Sequence, residues 1–78
     1  MSADARTITG IRQRLEDRIH SLEWQAGLAA EIGLGYEPES DERRRAVEKE
    51  WVYRAIARDL CGDLGWLDWV AQHPEVAA

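Results

Sequence analysis

Residues 51–70, WVYRAIARDLCGDLGWLDWV, decide the fold of this chain. They hold three of the four tryptophans, one of the two tyrosines and the only cysteine. The first half is helical in pattern. Val52, Ile56 and Leu60 form one i, i+4 row, and Val47, Trp51 and Ala55 form another. Tyr53 and Ala57 widen the apolar sector, and a helix apolar over so much of its circumference packs on more than one side. Gly62 and Asp63 then read as a stop and a restart. A glycine commonly follows a last helical turn, and an aspartate can cap the next helix. The expectation is therefore a helix ending near Cys61, a hinge at Gly62–Asp63, and a short helix over about residues 64–73 that stops before Pro74. Leu64, Leu67, Val70 and Ala71 form its apolar row, with Trp66 and Trp69 beside it. The hinge either folds those indoles back onto Trp51 as core or swings them out as surface.

Upstream, Ile8, Ile11, Leu15, Ile19, Leu22, Ala26 and Ala29 recur at spacings of 3, 4, 4, 3, 4 and 3. This is helical periodicity sustained over about six turns. Thr7 or Thr9 is positioned to cap its start. The stripe tapers to alanine, which lets a neighbouring helix approach closely at that end. Arg12, Arg14, Glu16, Asp17, Arg18 and Glu23 lie between the stripe residues as a mixed-charge face with several possible i, i+4 pairs. Trp24 and Leu28 share a face that points roughly opposite to the stripe, at about 100° per residue. Gly33 and Gly35 end this helix. The segment after them, ending in EPES, is a connection short enough to return the chain antiparallel. Ser40 is the cap of the next helix, with Asp41 and Glu42 at the favourable end of its dipole.

The fold class read from the chain is all-α. It is an antiparallel helical hairpin, about residues 8–32 and 41–61, plus a short C-terminal helix at about 64–73. The chain is one small domain over residues 1–78, with residues 1–6 and 74–78 frayed. A hairpin this size has a thin core, and association into a four-helix arrangement is a natural remedy.

Composition narrows the function. The net charge is −5, and acids outnumber bases in both halves of the chain. Such a chain is repelled by phosphate and by anionic lipid, so direct nucleic-acid binding and membrane association are not expected. No apolar run is long enough to span a bilayer, and the first ten residues have no signal-peptide pattern. One cysteine gives no disulfide framework and fits a reducing compartment, the cytoplasm. Nine of the ten basic residues are arginine, and alanine is abundant, which fits a bacterial or phage genome rich in GC.

No catalytic constellation emerges. His20 and His73 have no ligand set around them, so neither a metal nor a cofactor is expected. His20 reads as a solvated residue lying over Trp24. Cys61 reads as a small core residue at a helix end rather than a nucleophile. The Arg43–Arg45 triplet fans out around its helix and follows acids that can neutralise it. The glycines of IGLGY follow a helix, not a strand, so they are turn residues and not a phosphate loop. The first helix, with Arg12, Arg14, Arg18 and LAAEIG, is similar to the first helix of the small all-α chorismate mutases. The basic residues that grip a dicarboxylate there are absent from residues 24–36 here, so no catalytic role carries over.

Four tryptophans, two tyrosines and no phenylalanine favour side chains with an apolar body and a polar handle, the kind enriched at interfaces. The functional expectation is a non-enzymatic interaction module that binds another protein through Trp51, Trp66 and Trp69, or separately through Trp24 and Leu28. An inhibitor or regulator encoded by a phage or mobile element, with acidic faces mimicking nucleic acid, is one form of it. A homodimer is also expected. The alternative is a ligand-binding or catalytic pocket formed between helices of that dimer.

Overall fold

A computed structural model describes the backbone of residues 5–77 and the side chains of residues 6–75. The chain is all-α, with no strand among the described residues. Helix α1 spans Ala5–Leu34 and helix α2 spans Asp41–Gln72, followed by a single turn, α3, over Pro74–Ala77. Of the fraying expected at residues 1–6 and 74–78, residues 1–4 and 78 lie outside the described residues, whereas Ala5 and Arg6 belong to α1 and Pro74–Ala77 form α3. Because α1 begins by Ala5, Thr7 and Thr9 sit inside it and neither one caps it.

Ser40 does cap α2. It is extended at φ −73° and ψ 153°, and its Oγ accepts from the Arg43 backbone N–H at 3.2 Å. The end of α1 differs from the glycine-stop expectation. Gly33 is helical and buried, and no described glycine has a positive φ. The helix closes instead by i→i−3 bonds: the Gly35 N–H donates to the Ile32 carbonyl and the Tyr36 N–H to the Gly33 carbonyl, each at 3.1 Å.

The separate helix over residues 64–73 is not formed. Helix α2 runs unbroken through Gly62 and Asp63 to Gln72. The reason is a continuous seam. Ala46, Glu50, Tyr53, Ala57, Leu60, Leu64 and Leu67, all buried or half-buried, recur at spacings of 4, 3, 4, 3, 4 and 3 straight across Gly62. Burying that seam outweighs the penalty of about 1 kcal/mol for a glycine in a helix interior.

Helices α1 and α2 pack along their length. Gly33 meets Ala46, the Ile19–Leu22 pair meets Ala57 with Leu60 and Leu64 beside it, and Arg12 meets Asp68. Later residues of α1 thus pair with earlier residues of α2. The buried set among the described residues is small: Ile19, Leu22, Ala26, Ala29, Ala46 and Ala57, with Gly33. Ala26, at 0 % exposure, is the most enclosed. The α1 stripe also shifts at its start. Ile11 is exposed, and Arg12 points at α2 instead, its guanidinium 2.8 Å from Asp68 and 3.0 Å from Glu16. The long guanidinium stem spans a separation that the shorter isoleucine leaves open to water.

The molecule measures 55 × 17 × 16 Å, with a radius of gyration of 17.4 Å. A compact chain of this length would have one of about 11–12 Å. Two helices side by side bury one stripe each, and every other face stays in water.

Candidate functional site

The seam of α2 dictates where its tryptophans go. Once Tyr53, Ala57, Leu60 and Leu64 face α1, Trp51, Trp66 and Trp69 are carried to the outer side. Trp51 is 71 % exposed, Trp66 62 % and Trp69 39 %, while Trp24 on α1 is 66 % exposed. The unbroken helix removes the hinge, so Trp66 and Trp69 cannot fold back onto Trp51.

The structure brings two of the expected site residues together. Trp66 and Trp69 stack with ring centroids 5.1 Å apart and planes inclined by 10°. The imidazole of His73 continues the stack, 4.1 Å from the Trp69 ring and inclined by 16°. Its Nδ1 donates to the Trp69 carbonyl oxygen at 2.8 Å. Residues three and four apart are neighbours on a helix surface, and that is the spacing of these three rings. The backbone N–H of His73 also closes the helix by donating to the Val70 carbonyl at 3.1 Å. His73 therefore terminates α2 and holds the end of the aromatic stack. By sequence alone it is weighed as a helix boundary and as a metal ligand but not as an aromatic partner, although Trp66, Trp69 and His73 stand at i, i+3 and i+7.

Trp51 lies on the same side of α2 as Trp69, about five turns earlier and hence about 27 Å away. Ala55, Arg58, Gly62 and Gly65 lie between them. The outer surface of α2 thus has an aromatic residue near each end, with Arg58 and three small residues between them.

Trp24 and Leu28, four residues apart on α1, are both exposed. Leu28 turns toward an open groove of about 380 Å³ between the helices, where Ile32, Tyr36, Ala46, Lys49 and Tyr53 also contribute. Trp24, 66 % exposed, does not line it. No ring contact joins Trp24 to His20, which is itself exposed.

Several other expectations change. Cys61 is exposed, not a core residue, and lies beside Arg54, Arg58 and Glu23. It stands one position past Leu60, and about 100° of rotation takes it off the seam. The Val52–Ile56–Leu60 row does not enter the core as a unit, because only Leu60 packs against it while Val52 and Ile56 are exposed. The Val47–Trp51 row faces water as well. The arginine triplet divides its partners: Arg43 donates to the Tyr36 carbonyl at 3.4 Å, and Arg44 lies 4.0 Å from Asp41.

Among the described residues no cluster of three or more His, Cys, Asp and Glu side chains is arranged to hold a metal. No described helix is long and apolar enough to cross a membrane. Compared with protein families, curated proteins and solved structures, the chain matches none.

Proposed function

We propose that this chain is a small helical-hairpin interaction module that binds another protein through the tryptophan-bearing outer surface of α2. The observation that supports this reading is the exposed Trp66–Trp69–His73 stack at the end of α2. Stacking restricts the rotamers of both indoles before any partner arrives. Ordering such side chains otherwise costs about 0.5–1.5 kcal/mol each on binding. Tryptophan is also the residue type most enriched among binding hot spots. Trp51 supplies a second anchor nearer the start of the helix, with Arg58, Gly62 and Gly65 between the two. In this reading the chain regulates or inhibits its partner in a bacterial or phage cytoplasm.

The test is affinity capture from a host extract with the wild-type chain, Trp66→Ala/Trp69→Ala and Trp24→Ala. A partner held by the wild type and by the Trp24 variant, but lost from the double variant at unchanged helicity, fits the proposal. Equal capture by all three sinks it.

A second reading, a ligand-binding site between the two helices of one chain instead of between helices of a dimer, draws on the groove beside Leu28. Gln25, Tyr36, Arg45, Lys49 and Tyr53 place polar groups around an apolar floor there. Such a mixture is what small-molecule sites use.

A further inference from the structure

A second stripe of α2, which runs up to Trp66, carries a pattern of its own. Arg45, Lys49, Val52, Ile56, Asp59 and Asp63 recur at spacings of 4, 3, 4, 3 and 4. That is the seam spacing of packed helices, so the six residues form one straight stripe about 27 Å long. All six are exposed. The order along the stripe is two bases, two aliphatics, two acids. Among the described residues, none of the four charged members makes an ion pair within the chain, unlike Arg12, Arg54 and Arg44, which do.

We infer that this stripe binds the same stripe on a second copy of the chain, running antiparallel about a two-fold axis. The pattern is self-complementary in that orientation only. Arg45 comes opposite Asp63 of the second copy, Lys49 opposite its Asp59, and Val52 opposite its Ile56. The two-fold axis repeats each pairing. A parallel arrangement sets base against base and acid against acid, which is repulsive. Two apolar residues at the centre with charges at both ends reproduce the apolar core and polar rim of small interfaces. A shallow depression lined by Arg45, Glu48, Lys49, Val52 and Tyr53 opens on the stripe and receives the opposing Ile56.

The self-association goes beyond the tryptophan reading and centres on a different part of α2, although Trp66, three residues past Asp63, continues the stripe at its end. Trp51 and Trp69 lie about a third of a turn around α2 from the centre of the stripe, so the dimer leaves them in solvent, while Trp66 stands at the edge of the contact. Each copy then presents one tryptophan surface, and the assembly is bivalent toward any partner bound there.

Sedimentation equilibrium over a range of concentrations tests the inference, with helicity followed by circular dichroism. The wild type is expected to dimerise, and added salt to weaken the dimer. Arg45→Glu/Lys49→Glu sets acid against acid in all four pairs, and Asp59→Lys/Asp63→Lys sets base against base. Each is expected to weaken dimerisation by roughly a hundredfold or more, given four surface pairs reversed from attraction to repulsion. An equimolar mixture of the two variants restores every pair and is expected to form the heterodimer. The quadruple reversal restores every pair in one chain and dimerises again, which keeps the test intact should either double variant lose helicity. Trp51→Ala/Trp69→Ala dimerises as the wild type does, which separates the stripe from the part of the tryptophan surface that lies off it. A wild type that stays monomeric throughout, reversed variants that dimerise unchanged, or a mixture that stays monomeric would each overturn the inference.

Discussion

The two ends of the α1–α2 contact are built on opposite principles. Near the connection, Ala26, Ala29 and Gly33 of α1 are buried, and Gly33 meets Ala46 of α2. Small residues let the backbones approach, so the larger neighbours Leu28, Ile32 and Tyr36 stay at the rim and shape a groove. Further along, Ile19 and Leu22 meet Ala57 with Tyr53, Leu60 and Leu64 packed around them, and the seam is filled by bulk. Beyond that, the contact passes to the Arg12–Asp68 ion pair. One helix pair thus moves from close backbone packing, through side-chain packing, to a solvated charge contact. Apolar surface accumulates outside the seam wherever the seam itself is small.

That contrast can be broken in graded steps. The largest effect is expected at the bulky end: Leu22→Ala removes a buried side chain and costs about 3 kcal/mol. Urea unfolding at fixed chain concentration reads it as a lower midpoint. At the small-residue end the damage comes from addition. A Cβ on Gly33 would already stand 3.2 Å from the Ala46 Cβ, so Gly33→Val is expected to cost about 2 kcal/mol by overpacking. If the helices part there without strain, the midpoint will not move, and the close-approach account fails. The smallest effect has the opposite sign. A Cβ at Gly62 meets nothing within 4 Å, and the position is helix interior. Gly62→Ala should therefore stabilise by about 0.5–1 kcal/mol and raise helicity. A hinge at Gly62 predicts the reverse, a loss on substitution.

Much of the fold was legible because its signals are local. The α1 stripe, the Ser40 cap and the short connection follow from spacing and side-chain chemistry within a few residues. The misread elements needed knowledge of the neighbour. Gly62–Asp63 is a sound stop by local rules, and only the seam that continues through it reveals the unbroken helix. Ile11 is more apolar than Arg12, yet it is Arg12 that reaches α2, because Asp68 stands there. The same limit governed the site. All four tryptophans could be named in advance, but whether they were core or surface depended on which stripe of α2 faced α1. The rows drawn through Val52 and Trp51 competed with the true seam, which contains Glu50 and two alanines and looks less apolar than either. The charge order of the stripe from Arg45 to Asp63 was readable from the start. It gains meaning only once that stripe is known to face water.

The proportions of the molecule bear on its hydrodynamics. A particle 55 Å long and 16–17 Å across presents more friction per unit mass than a sphere. A single 8.9 kDa chain will therefore elute early from a gel-filtration column calibrated with compact proteins, at the position of a heavier one. Elution volume confounds elongation with doubling. Sedimentation equilibrium and light scattering report mass without reference to shape, and on them a lone rod and a pair of rods stand a full factor of two apart.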